Sequence, residues 1–104
     1  MTTVTIHSGA CGFTATLTVE KTKEGKLAVT VETTCEMVKK MCGEIALLDR
    51  FAPLTGFANN PVYTAAARHL KHVACPVPSG ILKALEVEAG LNVPKDASIH
   101  FIKK

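Results

Sequence analysis

Four cysteines and four histidines carry most of the chemistry open to this chain, and no two of the cysteines form a C-x-x-C pair. Cys11 lies between Gly9 and Gly12 in the stretch SGACGF. Glycines there let the backbone approach closely and turn N–H groups towards a sulfur, a concave nest suited to an anion or a cluster, which makes Gly9 and Gly12 candidate cofactor-binding positions. Cys35 falls in the first turn of an expected helix, where unpaired N–H groups and the helix dipole favour a thiolate. Cys75 stands just before another expected helix and gains a weaker form of the same benefit. Three such sulfurs suit an iron–sulfur cluster with one exchangeable corner, or a zinc with a fourth ligand from elsewhere. Cys42 reads differently: it is about 10 Å further down the helix from Cys35, on the apolar stripe, as a small buried hydrophobe.

The run HLKHVAC places His69, His72 and Cys75 at H-x-x-H-x-x-C spacing. Helical phase separates the two histidines: Tyr63, Ala66, Ala67, Leu70 and Val73 define the expected buried stripe, His69 flanks it, and His72 lies nearly opposite. Where a fourth metal ligand is needed, His72 is the preferred one, one turn below Cys75. His7 and His100 lie on the polar faces of expected strands. Glu86 and Glu88 are two residues apart and do not share a helix face. No G-x-S-x-G, phosphate-binding loop or dinucleotide fingerprint is present.

Positioning those side chains requires elements. Val4 and Ile6, then Phe13, Ala15, Leu17 and Val19, then Leu27, Val29 and Val31 alternate with threonines and other polar residues, the period of strands buried on one face. The stretch Thr33-x-x-Glu36 reads as a capping box opening a first helix along Val38, Met41, Cys42, Ile45 and Leu48. Residues 49–60 form a loop with Phe51, Leu54 and Phe57, for which core packing is the default expectation. Asn60 and Pro61 are an N-cap and a first-turn proline opening a second helix to about Ala74. A third helix starts at Pro78 or Ser79 and stops at Gly90, and residues 97–102 read as a closing strand.

The expected order is therefore βββαααβ, a two-layer α+β domain with a four-stranded, mostly antiparallel sheet and helices on one face. If each helix crosses the full height of the sheet, Cys11, Cys35 and Cys75 arrive at one edge. Residues 1–104 make a single domain, since 104 residues bury one core. The 12 basic and 9 acidic residues are scattered, which argues against nucleic acid. No leader and no membrane-spanning run is read from the sequence, so a soluble cytoplasmic protein is expected, with free or metal-bound thiols.

The stretches GACGF, TTCEMV and AAARHLKHVACPVPSGILKALEVEAGLNVPKDA together resemble an uncharacterised family of short cysteine-containing proteins from anaerobic bacteria and archaea. The resemblance spans nearly the whole chain and implies no activity of its own. It implies an anaerobic setting, where an oxygen-sensitive iron–sulfur or other metal site is at home. The leading expectation is a small accessory metal-binding protein, with Cys11, Cys35 and Cys75 as ligands of an iron–sulfur cluster or zinc. One alternative is a thiol redox protein or cysteine-nucleophile enzyme using Cys11 and Cys35, against which the missing C-x-x-C and missing adjacent base count. Another is a metal-free interaction domain, docking an unknown protein or a second copy through the apolar loop or the threonine face of Thr5, Thr16, Thr18 and Thr30.

Overall fold

Alternation of apolar residues with threonine builds the sheet. In a computed structural model, which describes residues 1–103, β1 (Thr2–His7), β2 (Thr14–Lys21), β3 (Leu27–Thr33) and the short β4 (Leu47–Leu48) pair antiparallel in the order β1-β2-β3-β4. Val4 faces Leu17 and Leu17 faces Val31 across the ladders. This register puts Val4, Ile6, Ala15, Leu17, Val19, Leu27, Val29 and Val31 on one side and Thr3, Thr5, Thr14, Thr16, Thr18 and Thr30 on the other, since side chains of a strand alternate between faces. Thr5 lies opposite Thr16, and the Thr3 and Thr18 hydroxyls meet at 3.2 Å, a cross-strand ladder on the open face.

The opposite face is covered by α1 (Glu36–Glu44), α2 (Pro61–His69) and α3 (Val77–Glu88). α3 lies under β1 and β2, α1 lies under β3, and α2 packs against both helices. Leu17, Leu27, Met41, Ile45, Val62, Ile81 and Leu85 are fully buried between the layers. The architecture is the expected two-layer α+β domain with a four-stranded antiparallel sheet. α3 runs antiparallel to β1: Gly80 sits beneath Ile6, and Glu88 accepts hydrogen bonds from the Thr2 hydroxyl at 2.7 Å and the Lys21 N–H at 3.0 Å.

Several elements differ from expectation. The fourth strand is Leu47–Leu48, paired with Ala28 and Leu27; residues 97–102 join no strand. Leu48 therefore belongs to the sheet, because α1 stops at Glu44 and the Val29 N–H is taken by the Ala46 carbonyl at 2.9 Å. The N-cap of α1 is Cys35, and the Thr33 hydroxyl ties the strand end instead, accepting from the Cys35 N–H and donating to the Thr14 carbonyl. α2 ends at His69 rather than near Ala74. Residues 71–74 are exposed, so no buried face supports a further turn, and Pro76 restrains the residue before it. Asn60 caps α2 as expected, its Oδ1 accepting from the Val62 N–H at 3.0 Å.

The path of the helices also departs from a simple up-and-down traverse. Arg68 and His69 at the end of α2 both bind Glu44 at the end of α1, so α1 and α2 converge at their C-terminal ends. Among the described residues no helix is long and apolar enough to cross a membrane.

Candidate functional site

Cys11 is exposed in a tight turn. Ser8 N–H bonds the Phe13 carbonyl at 3.0 Å and Gly12 N–H bonds the Gly9 carbonyl at 2.9 Å, closing one 3-10 turn over Gly9–Cys11. Gly9 and Gly12 hold φ of +79° and +77°, a region that strains any residue with a Cβ. The glycines thus serve the turn that displays Cys11 at the end of the sheet where β1 finishes.

Cys35, two residues past the end of β3, is buried at the N-cap of α1 at this same end. Cys75 is half-buried and precedes Pro76, the N-cap of α3; because Gly80 lies against Ile6 near the end of β1, this segment also belongs to that end of the molecule. The return is made by residues 70–75, not by α2. Cys42 is buried in the core, and that burial pushes its thiol up to about 11. Among the described residues no hydrogen bond reaches a cysteine sulfur, and no three His, Cys, Asp or Glu side chains stand together in an arrangement able to hold a metal ion.

The histidines occupy separate roles. His69 binds Glu44, whose other oxygen takes Arg68 at 2.7 Å; the Arg68 hydrogen bond first, then that of His69, holds the Glu44 carboxyl below the usual carboxylate range. His72 is exposed, its carbonyl accepting the Cys75 N–H at 3.1 Å. His7 meets the Thr14 hydroxyl on the open sheet face at 3.3 Å, and His100 is exposed in the tail after α3.

A concavity lies along α2. Tyr63, Ala66, Ala67, Leu70 and Val73, together with Cys75 and Pro78, line an open groove of about 290 Å³, with Lys71 and His72 on its wall. The expected buried stripe of this helix is met only in part: Ala66 and Leu70 pack half-buried against the core. Val62 and Ala65 face the core, while Ala67 is exposed and Val73 fully exposed. Phe57 continues the apolar surface: it is 82% exposed and its ring packs on Tyr63 with centroids 5.5 Å apart. Phe51 and Leu54 are exposed beside it in sequence, so the loop's large apolar side chains do not pack into the core, whereas Ala52 lies against it. Helical spacing alone marked this stripe as apolar. It carried no information on which side the sheet would cover, because α2 packs on helices rather than on the sheet. A second, shallow and polar depression lies over the open sheet face between Gly12, Thr14, Thr16 and Glu32.

A family model described as a family of unknown function (DUF6951) matches residues 2–101. No curated protein and no solved structure matches the chain.

Proposed function

The chain belongs to that family of unknown function, and we propose that it acts as a small, non-catalytic interaction domain that docks a protein partner in the apolar groove along α2. The observation that carries this reading is the open apolar groove lined by Tyr63, Ala66, Ala67, Leu70 and Val73, in which Ala67 and Val73 are exposed and the other three half-buried, extended by Phe57. Water-exposed apolar surface of this kind favours burial by about 25 cal/mol per Å² covered. The groove is open and, at about 290 Å³, just below the roughly 300–1,000 Å³ of pockets that enclose small ligands. It suits one or two apolar side chains of a partner, with Lys71 and His72 as a polar rim. A photo-crosslinking residue at Val73, in the organism's own cells, is expected to yield one discrete protein adduct. That adduct is lost on Ala67→Asp and retained in Cys11→Ser. No adduct, or one indifferent to Ala67→Asp in a protein with an unchanged circular dichroism spectrum, ends the reading.

A second reading is metal binding, with Cys11, Cys35 and Cys75 as ligands of an iron–sulfur cluster or zinc and His72 as the fourth candidate. It is supported by the position of the three cysteine-bearing segments at one end of the sheet. It requires residues 8–13 and 70–75 to close towards Cys35 when the metal enters. Metal analysis and an absorption spectrum of protein purified without oxygen decide it; a folded, colourless and metal-free protein removes it.

A further inference from the structure

The tail after α3 has the composition of a strand and no strand to pair with. In residues 97–102 Ala97, Ile99 and Phe101 alternate with Ser98, His100 and Ile102, the period of a half-buried strand. Yet Ile99 is 85% exposed, Ile102 82% and Phe101 fully so. Glu86 holds the end of α3 through the Leu91 and Asn92 nitrogens; beyond Lys95 no hydrogen bond ties the described residues to the body. The molecule measures 49 × 28 × 26 Å, in keeping with a tail that leaves the compact part. The family match runs to residue 101, so the tail is part of the domain the family shares and not an appendage to it.

The complementary feature is the outer edge of β1. The strand order leaves it uncovered along all six residues of Thr2–His7, whose sequence TTVTIH has no proline, lysine or carboxylate. Those are the devices that usually blunt an edge, and without them alternate N–H and C=O groups stand ready for another strand. Val4, only partly buried, marks where the core's rim remains open beside this edge.

We infer that residues 97–102 of one copy add as a fifth strand to the β1 edge of a second copy, the two chains exchanging tails reciprocally. Ile99 and Phe101 then extend the apolar face beside Val4 and Ile6 of the partner, and the backbone groups of both strands are paired. A strand of six residues is about 20 Å long; two such strands on two edges remove on the order of 1,200 Å² from water, the size at which specific interfaces begin. To follow β1 of its own chain the tail has to reverse direction after α3. Residues 91–103 all stay exposed, so the tail is not laid against its own β1. The exchange uses a different face from the α2 groove and stands or falls independently of it.

Light scattering after gel filtration, with amide hydrogen exchange, tests the exchange on three proteins: the full chain, the chain ended after Asp96, and His100→Pro. None of the core side chains belongs to the tail, so both variants keep the monomer fold and its circular dichroism spectrum. The full chain is expected at twice the monomer mass, with slowed exchange in residues 98–102 and β1. Both variants are expected at the monomer mass, with fast exchange on the outer side of β1. A full chain that stays monomeric at every concentration overturns the inference, including one whose tail is protected by folding onto its own β1. A dimer that survives removal of the tail overturns it as well.

Discussion

Asn60 is the buried polar side chain of the core region, and it is satisfied on both sides. Its Oδ1 caps α2 at the Val62 N–H, and its Nδ2 donates to the Thr55 carbonyl at 3.3 Å, fastening the loop to the helix. Asn60→Ala leaves a buried N–H without a partner and is expected to cost about 2 kcal/mol in denaturant unfolding. Asn60→Asp keeps the cap but loses the donor to Thr55, so it too is destabilising. The thiols divide just as sharply by environment. Exposed Cys11 is expected to react first with an alkylating reagent, while Cys42 reacts only on unfolding, as read by mass spectrometry of the labelled peptides. Burial raises the Cys42 thiol from 9.0 to about 11. The unfolded chain thus loses this proton first, and the group's contribution to stability falls as pH rises from about 9 towards 11. The Cys11 turn, the asparagine cap and the core role of Cys42 were all legible from residue type and neighbours, because each depends on contacts within a few positions or on one helix face.

At the scale of elements, the close approach of α3 to β1 is made possible by Gly80. A Cβ there meets the Ile6 side chain at 2.5 Å from Cδ1 and 2.7 Å from Cγ1, tighter than packed cores tolerate. Gly80→Ala gains about 1 kcal/mol of helix propensity but forces Ile6 to repack, at about 1–3 kcal/mol. The expected net effect is a loss of about 1 kcal/mol, smaller when made in the Ile6→Val background, and a double-mutant cycle measures the difference. The elements that local signals place well are the long alternating strands, the Asn60–Pro61 start of α2 and the stop of α3 at Gly90. Those they misplace are set by partners far away in sequence. β4 exists because β3 offers an edge at Leu27 and Ala28. α2 stops at His69 because no core lies under residues 71–74, and Glu44 binds the two side chains that end the helix.

For the whole molecule, Glu88 joins three parts of the chain. Burial works against its charge, but hydrogen bonds from the Thr2 hydroxyl, the Lys21 N–H and the Met1 amino group hold its carboxyl below the ordinary 4.5. A carboxyl depressed by folding stabilises fully above the unfolded value, and that contribution is lost as pH falls through the folded value. Glu88→Gln is therefore expected to lower stability at neutral pH and to flatten the loss of stability below about pH 4.5, as followed by thermal unfolding at a series of pH values. By itself the sequence determined the class of fold, since periods of two and of 3.6 mark the three long strands, the three helices and the apolar residues of each. Only the tertiary structure decided which apolar stripe the core covers and which it leaves open. The sheet covers the inner sides of α1 and α3, whereas α2 packs on those helices through Val62 and Ala65 and leaves Tyr63 half-buried and Ala67 exposed, with Val73 exposed beyond its end. In the same way the alternation of 97–102 determined that the tail can be a strand, but not whose edge it meets. Pairing depends on a free edge brought near in space, and that is a property of the assembled fold.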